Sequence, residues 1–245
     1  MALDDVLEAA ADPKTSMIAL PLRKETMNTA NPPQPTILNY DQMAHTHYWH
    51  PEALFGLVYA YLRPGDRLLD AGIGTGLASQ PFAKAGVQVY GFDADPEMLV
   101  LCQAKEFAVE LRQQDLLDTP WPYAAQSFDH ILACGVLHFL ADPTPVFGEV
   151  SRLLRPGGTF TFTTKAPALS PKGTTAQGRT TVETIQGTQL YLHARESLDR
   201  LMAASDLAPL KELRLVVKTG RDSDDLFCAF VTRLTSAGAG KEEEC

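Results

Sequence analysis

Cysteine is scarce in this chain. Its four residues, Cys102, Cys134, Cys228 and Cys245, are scattered and form no C-x-x-C pair. That spacing argues against a disulfide scaffold or a zinc site and for a reducing, cytoplasmic setting. No stretch approaches the roughly 18 apolar residues of a membrane helix. The start, Met1-Ala2-Leu3-Asp4-Asp5, is acidic and has no apolar core of the kind a secretory signal carries. Basic residues are outnumbered, 21 Lys and Arg against 30 Asp and Glu, for a net charge of −9. A bulk nucleic-acid partner needs a basic footprint and is therefore disfavoured. What remains is a chain of 245 residues, 45% hydrophobic, long enough for one large core.

Within it, Leu68-Leu69-Asp70-Ala71-Gly72-Ile73-Gly74-Thr75-Gly76 runs from apolar residues through an acid into three alternate glycines. That order suits a buried strand ending in a tight turn that opens a helix. Dinucleotide-binding βαβ units use a related G-x-G-x-x-G turn. Here the third glycine of that pattern falls on Leu77. Asp70 would also repel a pyrophosphate, whereas it suits a ligand with a cationic group.

Further segments follow in order. Val87–Asp93 reads as a second buried strand ending in an acid, placed where a carboxylate can accept from ribose hydroxyls. A helix then starts at Pro96, which Asp93 can also cap. A third strand is expected near Phe107–Leu111, followed by Gln114-Asp115-Leu116, and a fourth over Ser127–Gly135. Leu153–Thr163 reads as a helix end, a Pro-Gly-Gly turn and an alternating strand.

These pieces, over roughly 66–164, resemble the class I S-adenosylmethionine (SAM)-dependent methyltransferases, in particular the type 11 group, with its acid-x-G-x-G-x-G, F-D-x-[VI], L-H and L-[RK]-P-G-G signatures. The resemblance implies S-adenosyl-L-methionine as cofactor, over the glycine turn of Asp70, Gly72, Gly74 and Gly76. Asp93 would hold the ribose, Ala94 and Met98 wall the adenine, and Asp115 with Leu116 meet its amino group. Cys134 and Tyr40 complete the implied site. Tyr40-Asp41-x-x-Ala44 resembles the lid helix of small-molecule methyltransferases, although His47 replaces the family's second tyrosine and Tyr48 is shifted by one.

The chain is expected to divide into a flexible arm over 1–38, one methyltransferase domain over 39–235, and a charged tail over 236–245. Lid helices would occupy 39–62. Strands and helices alternate from Asp66 to Thr164, the mark of an α/β fold. Beyond them lie a helix over Ala194–Ser205 and strands over Leu210–Lys218 and Leu226–Leu234. The connection between these strands is too short for a crossover, so they should pair antiparallel. The expected architecture is a Rossmann-like three-layer sandwich. Its seven-stranded, mostly parallel sheet has the order 3-2-1-4-5-7-6 and a reversed seventh strand. The Thr/Gly-rich segment over 165–193, with a hairpin around Gly187, is a candidate substrate flap; a plain surface loop is the other reading.

Methyl transfer needs a general base only where the nucleophile must lose a proton. His138, just after the fourth strand, is the candidate, with a packing histidine as the alternative. His45, His47 and His50 crowd together without metal-ligand spacing, so no metal is expected. Trp49 and Trp121 read as packing residues. Charge is uneven: residues 1–150 carry −11, 151–221 carry +6 and 222–245 carry −4. Lys165, Lys172, Arg179 and Arg195 in the basic part are candidates to attract a carboxylate or phosphate on a small-molecule acceptor. The leading reading is O- or N-methylation of such an acceptor. The alternatives are an NAD-linked oxidoreductase, a non-catalytic SAM-binding protein, and a protein or RNA methyltransferase.

Overall fold

The computed structural model describes residues 40–46, 51–166, 181–185, 188–217 and 225–235. The expected arm over 1–38 and tail over 236–245 lie outside them, as do His47, Tyr48, Trp49, His50, Lys172 and Arg179.

Five parallel strands form the centre of the sheet: β1 (Arg67–Ala71), β2 (Gln88–Asp93), β3 (Glu110–Gln113), β4 (Phe128–Ala133) and β5 (Leu154–Lys165). A hairpin, β6 (Thr181–Ile185) and β7 (Thr188–Leu192), stands apart as its own two-stranded sheet. The last two strands, β8 (Leu207–Val217) and β9 (Asp225–Leu234), pair antiparallel. The full order is β3-β2-β1-β4-β5-β9-β8. Counting only the strands of the large sheet, this is the expected 3-2-1-4-5-7-6 with its seventh strand reversed.

Each face of the sheet has its own apolar layer. On one face, Leu69, Phe92, Phe128, Phe160 and Phe162 pack with Val146, Phe147 and Val150 of α5 (Thr144–Leu153) and with Leu198 and Met202 of α6 (Arg195–Ala204). On the other, Leu68, Val89, Leu132, Ala229 and Val231 meet Leu54 and Val58 of α2 (Ala53–Val58) and Phe82 of α3 (Gln80–Lys84). Burial on both faces is why β1 and β4 read as near-continuous apolar runs. Reversed β9 is locked to β5 by Phe162 stacked on Phe230 at 5.0 Å. Fully burying a phenyl of this kind contributes roughly 1.5–3 kcal/mol.

Three local expectations shift. β3 begins at Glu110, three residues into the Phe107–Leu111 run, because Phe107 packs into the core beside Cys102 and Gly76. Pro156-Gly157-Gly158 is not a separate turn. β5 starts directly after α5 and passes through it with a register shift against β4, Gly157 taking φ +80°. The helix after β2, α4 (Pro96–Gln103), is capped by Asp95 and not by Asp93: Asp95 Oδ1 accepts from Glu97 N at 2.8 Å.

Candidate functional site

The glycine turn is built by its neighbours. The Phe92 carbonyl accepts from both Gly72 N and Ile73 N at 2.9 Å, pinning the end of β1 to the end of β2. Asp93 completes the tie. Its Oδ2 accepts from Gly74 N at 2.8 Å and its Oδ1 from Asp95 N at 2.9 Å. All three turn glycines have positive φ. At Gly76 a Cβ would also stand 2.4 Å from Phe107 Cζ, so glycine there serves packing as well as the bend.

Above this turn lies a cavity of about 520 Å³ at the carboxyl ends of the parallel strands, where open α/β sheets place their ligands. Tyr40, Asp70, Gly72, Gly74, Asp93, Met98, Cys134 and His138 all line it. Gly76, Ala94, Asp115 and Leu116 do not. Asp115, expected at the cavity, is exposed and accepts from Leu117 N at 2.8 Å within its own turn. Leu116 packs on the core and its carbonyl accepts from the Trp121 indole at 3.1 Å. Trp121 itself is buried against Phe92.

Asp70 dominates the electrostatics. It is 1% exposed, and neither carboxylate oxygen has a hydrogen-bond partner among the described residues. Burial pushes its carboxyl up to about 7. The nearby Ser79 hydroxyl offsets some of this without reaching hydrogen-bonding geometry, and the charge on Asp93 adds to it. An unsatisfied buried carboxylate is costly and marks a place built for a donor or a cation. The Cys134 thiol beside it is driven well above its ordinary range by burial and then by Asp70, so it is a wall and not a nucleophile.

The opposite end of the cavity is apolar. His138 is 7% exposed, with its ring 4.3 Å from Phe139 and 5.4 Å from Phe227. His193 supports the short turn Leu137–Phe139, its Nε2 lying 3.2 Å from the Leu137 carbonyl. Burial lowers the His193 pKa, which keeps this ring neutral near pH 7. Val217 and Phe227 bring the terminal hairpin to the wall.

Several of these contributors have no local sequence signal. Asp41 on α1 (Tyr40–Thr46) accepts from Thr75 Oγ1 at 2.6 Å and from Lys105 Nζ at 2.5 Å, fastening that helix to the glycine turn and the end of α4. Asp95 was readable as the residue before Pro96 and also lines the cavity. Of the basic candidates, Lys165 is buried at the end of β5 in register with Phe227. Arg195 is engaged by Asp199 and Glu212. Among the described residues no group of three or more His, Cys, Asp or Glu could hold a metal ion. Nor is any described helix long and apolar enough to cross a membrane.

Comparison with known proteins adds three findings. Residues 69–162 match the family model described as a methyltransferase domain. Malonyl-[acyl-carrier protein] O-methyltransferase of Serratia marcescens is 33% identical over 115 residues, 47% of this chain and 44% of the relative. A ubiquinone biosynthesis O-methyltransferase of Xanthomonas campestris pv. campestris is 31% identical over 104 residues, 41% and 44% of the two chains. The chain thus spans less than half the length of these curated relatives. Among solved structures, the Burkholderia thailandensis 1,6-didemethyltoxoflavin-N1-methyltransferase, with bound 1,6-didemethyltoxoflavin and S-adenosylhomocysteine, superposes with a TM-score of 0.60. It is 20% identical, over 84% of this chain and 93% of that one. At that identity the likeness shows the fold. Over residues 69–162 the chain is thus similar to the methyltransferase domain that this family model describes.

Proposed function

We propose that this protein transfers the methyl group of S-adenosylmethionine to an oxygen or nitrogen of a small-molecule acceptor, releasing S-adenosylhomocysteine. One observation carries the reading: the buried carboxylate of Asp70, without a hydrogen-bond partner among the described residues, in the wall of the glycine-turn cavity. A dinucleotide pyrophosphate would be repelled there, whereas an ammonium or sulfonium satisfies it. The O-methyltransferase relatives and the N-methyltransferase neighbour agree with that class of reaction.

When bound, S-adenosylmethionine supplies a methyl group already activated on sulfur. The chain's own work is therefore to bind, align and exclude water. Asp70 and the backbone of Gly72 and Gly74 take the amino-acid end. Asp93, held rigid by two backbone N–H groups, keeps lone pairs for a ribose diol. Met98 and Asp95, which line the cavity beside Asp93, wall the adenine. His138 takes the acceptor's proton where the acceptor is a hydroxyl or protonated amine. Phe139, Phe227 and Val217 favour an acceptor with an apolar body. Lys165, one strand pair from the wall through Phe227, supports a carboxylate on that acceptor.

The test is calorimetry with S-adenosylmethionine, S-adenosylhomocysteine and NADH on the wild type and Asp70→Asn. Micromolar binding of the first two, weakened at least ~30-fold in the variant, corresponds to the roughly 2 kcal/mol of a charge-assisted contact. Preference for NADH ends the proposal. An acceptor panel followed by S-adenosylhomocysteine release then separates turnover from mere binding. His138→Gln should lose about 10- to 100-fold in kcat with cofactor Kd within about threefold, as loss of a general base does. Unchanged kcat removes His138 from the chemistry.

A further inference from the structure

A second cavity, of about 380 Å³, lies at the other end of the sheet. It is set by the residues that enter β1, β4 and β5 and by those that leave the reversed β9. Three arginines line it, Arg63, Arg155 and Arg233, together with Asp66, Asp129, His130 and the Pro156-Gly157-Gly158 segment. In a chain of net charge −9 this concentration of cations is unusual.

The acids of this cavity are already satisfied. Asp129 accepts from Arg67 N at 2.8 Å and from Arg155 at 2.6 and 2.8 Å through its two oxygens. Burial raises the Asp129 carboxyl, but the Arg67 N–H and the Arg155 guanidinium outweigh it and hold its pKa below the ordinary value. Asp66 Oδ2 accepts from Arg63 N at 2.7 Å and meets His130 Nε2 at 3.0 Å. The buried His130 ring is anchored on its other side, Nδ1 lying 2.8 Å from Thr159 Oγ1. The back of the cavity is thus a rigid, fully bonded frame. The two remaining arginines, Arg63 and Arg233, form no ion pair among the described residues. Arg233 is steadied over the Tyr61 ring at 5.2 Å, and Tyr61 is itself part of the wall.

We infer that this cavity is a binding site for a small dianionic oxyanion of the phosphate type. The planar fork of arginine matches tetrahedral oxyanions, and two or three forks converging on one pocket give that match without a metal. Arg63 and Arg233 supply the charge; Arg155, neutralised by Asp129 through Nη1 and with no bond to Nη2 among the described residues, supplies a further donor. The site stands apart from the glycine-turn cavity and does not depend on the methyl-transfer reading.

The test uses the full chain and thermal unfolding in inorganic phosphate, in glycerol 3-phosphate, and in sodium chloride of equal ionic strength. Binding of the folded state alone raises Tm by mass action, by a few degrees at roughly a hundred times Kd. We expect stabilisation by phosphate beyond chloride, cut by at least half in Arg63→Gln and in Arg233→Gln and absent from the double variant. These side chains leave the Asp129–Arg155 frame intact, so the variants fold, which unchanged S-adenosylmethionine affinity checks. Stabilisation by both probes identifies free phosphate as sufficient, and by the ester alone a phosphorylated small molecule. No effect of either probe beyond chloride overturns the site, as does an effect that survives in the double variant.

Discussion

The two ends of this sheet hold different kinds of acid, half-buried and paired at one, and at the other the fully buried Asp70. At the amino end, Asp66 and Asp129 each have backbone and side-chain partners, and their cavity keeps spare cations. At the carboxyl end, Asp70 has no hydrogen-bond partner among the described residues and is more deeply buried than either. The strands and the residue type are shared, so the difference lies in burial and in what each end must leave open. A paired acid stabilises the fold and carries no information about a ligand. An acid left unpaired inside a wall costs stability, and a fold tolerates that where binding recovers it.

The largest expected effect turns this contrast into opposite signs. The Asp70 carboxyl titrates near 3.8 in an unfolded chain and near 7 in the fold. Between these values the folded state retains a proton that the unfolded chain has lost. The contribution of Asp70 to stability is therefore greatest below about pH 4, declines as pH rises to about 7 and is then level. Asp70→Asn should be more stable than wild type at pH 8, by on the order of 3–4 kcal/mol, with the gap closing toward pH 5. Asp129→Asn strips partners from Arg155 and Arg67 N and should lose about 1–3 kcal/mol at the same pH. Urea unfolding at pH 5 and 8 reads both. A wild type more stable than Asp70→Asn at pH 8 breaks the comparison, because Asp70 must then have a partner in the fold. The same proton links to the ligand: S-adenosylmethionine affinity should rise as pH increases through about 7, with proton release seen by calorimetry in buffers of different ionisation enthalpy.

Next in size are the glycines that hold each end closed. A Cβ on Gly158 would stand 2.7 Å from the backbone oxygen of Asp129, and that atom cannot swing away. On Gly76 it would meet Phe107 and Cys102 Sγ, in a residue whose φ is already +81°. Either change to Ala should cost about 2–4 kcal/mol, as overpacking and backbone strain do. Gly74, at φ +53° with nothing within 4 Å of a Cβ, should cost only about 1 kcal/mol. Cofactor affinity distinguishes the ends: Gly76→Ala and Gly74→Ala should weaken it, and Gly158→Ala should not. An unchanged Kd in Gly74→Ala would sever the turn from binding.

The asymmetry also decided what could be read from the sequence. The carboxyl-end site is written in short contiguous pieces, because a strand end, a glycine turn and a helix start are neighbours along the chain. Asp70, Gly72, Gly74 and Asp93 were legible for that reason, and so was the reversed terminal hairpin, whose short connection forbids a crossover. The cap at Asp95 and the start of β3 were displaced by a few residues, since Phe107 looks like a strand residue but packs as a core residue. Asp115 and Leu116 were expected from the family resemblance, and neither lines the cavity. The amino-end cavity was invisible: Arg63, Asp66, Asp129, Arg155 and Arg233 share no local pattern, and only the pairing of β1, β4, β5 and β9 assembles them.

The smallest expected effect concerns a contact of the same hidden kind. Asp41 joins α1 to the glycine turn through Thr75 and to α4 through Lys105, across 34 and 64 residues of chain. Thr75 is buried, whereas the Lys105–Asp41 pair is partly exposed, 23% and 37%. Exposure screens the ion pair to about 0–1 kcal/mol, and the Thr75 hydrogen bond, made to a carboxylate that is itself partly exposed, contributes about 0.5–1 kcal/mol to stability. Thr75→Val keeps the shape and deletes the hydrogen bond. Because α1 presents Tyr40 to the cavity, that loss should appear in the ligand: about three- to tenfold weaker S-adenosylmethionine binding, mostly through faster release, with Tm changed by less than about 2 °C. Lys105→Met should shift Kd by less than about threefold and lose its effect at high salt. At the amino end, Arg155→Met should do the reverse, lowering Tm while leaving Kd alone. A Thr75→Val protein that binds as tightly as wild type would mean that α1 seals nothing, and the carboxyl-end cavity would then be closed by the hairpin side alone.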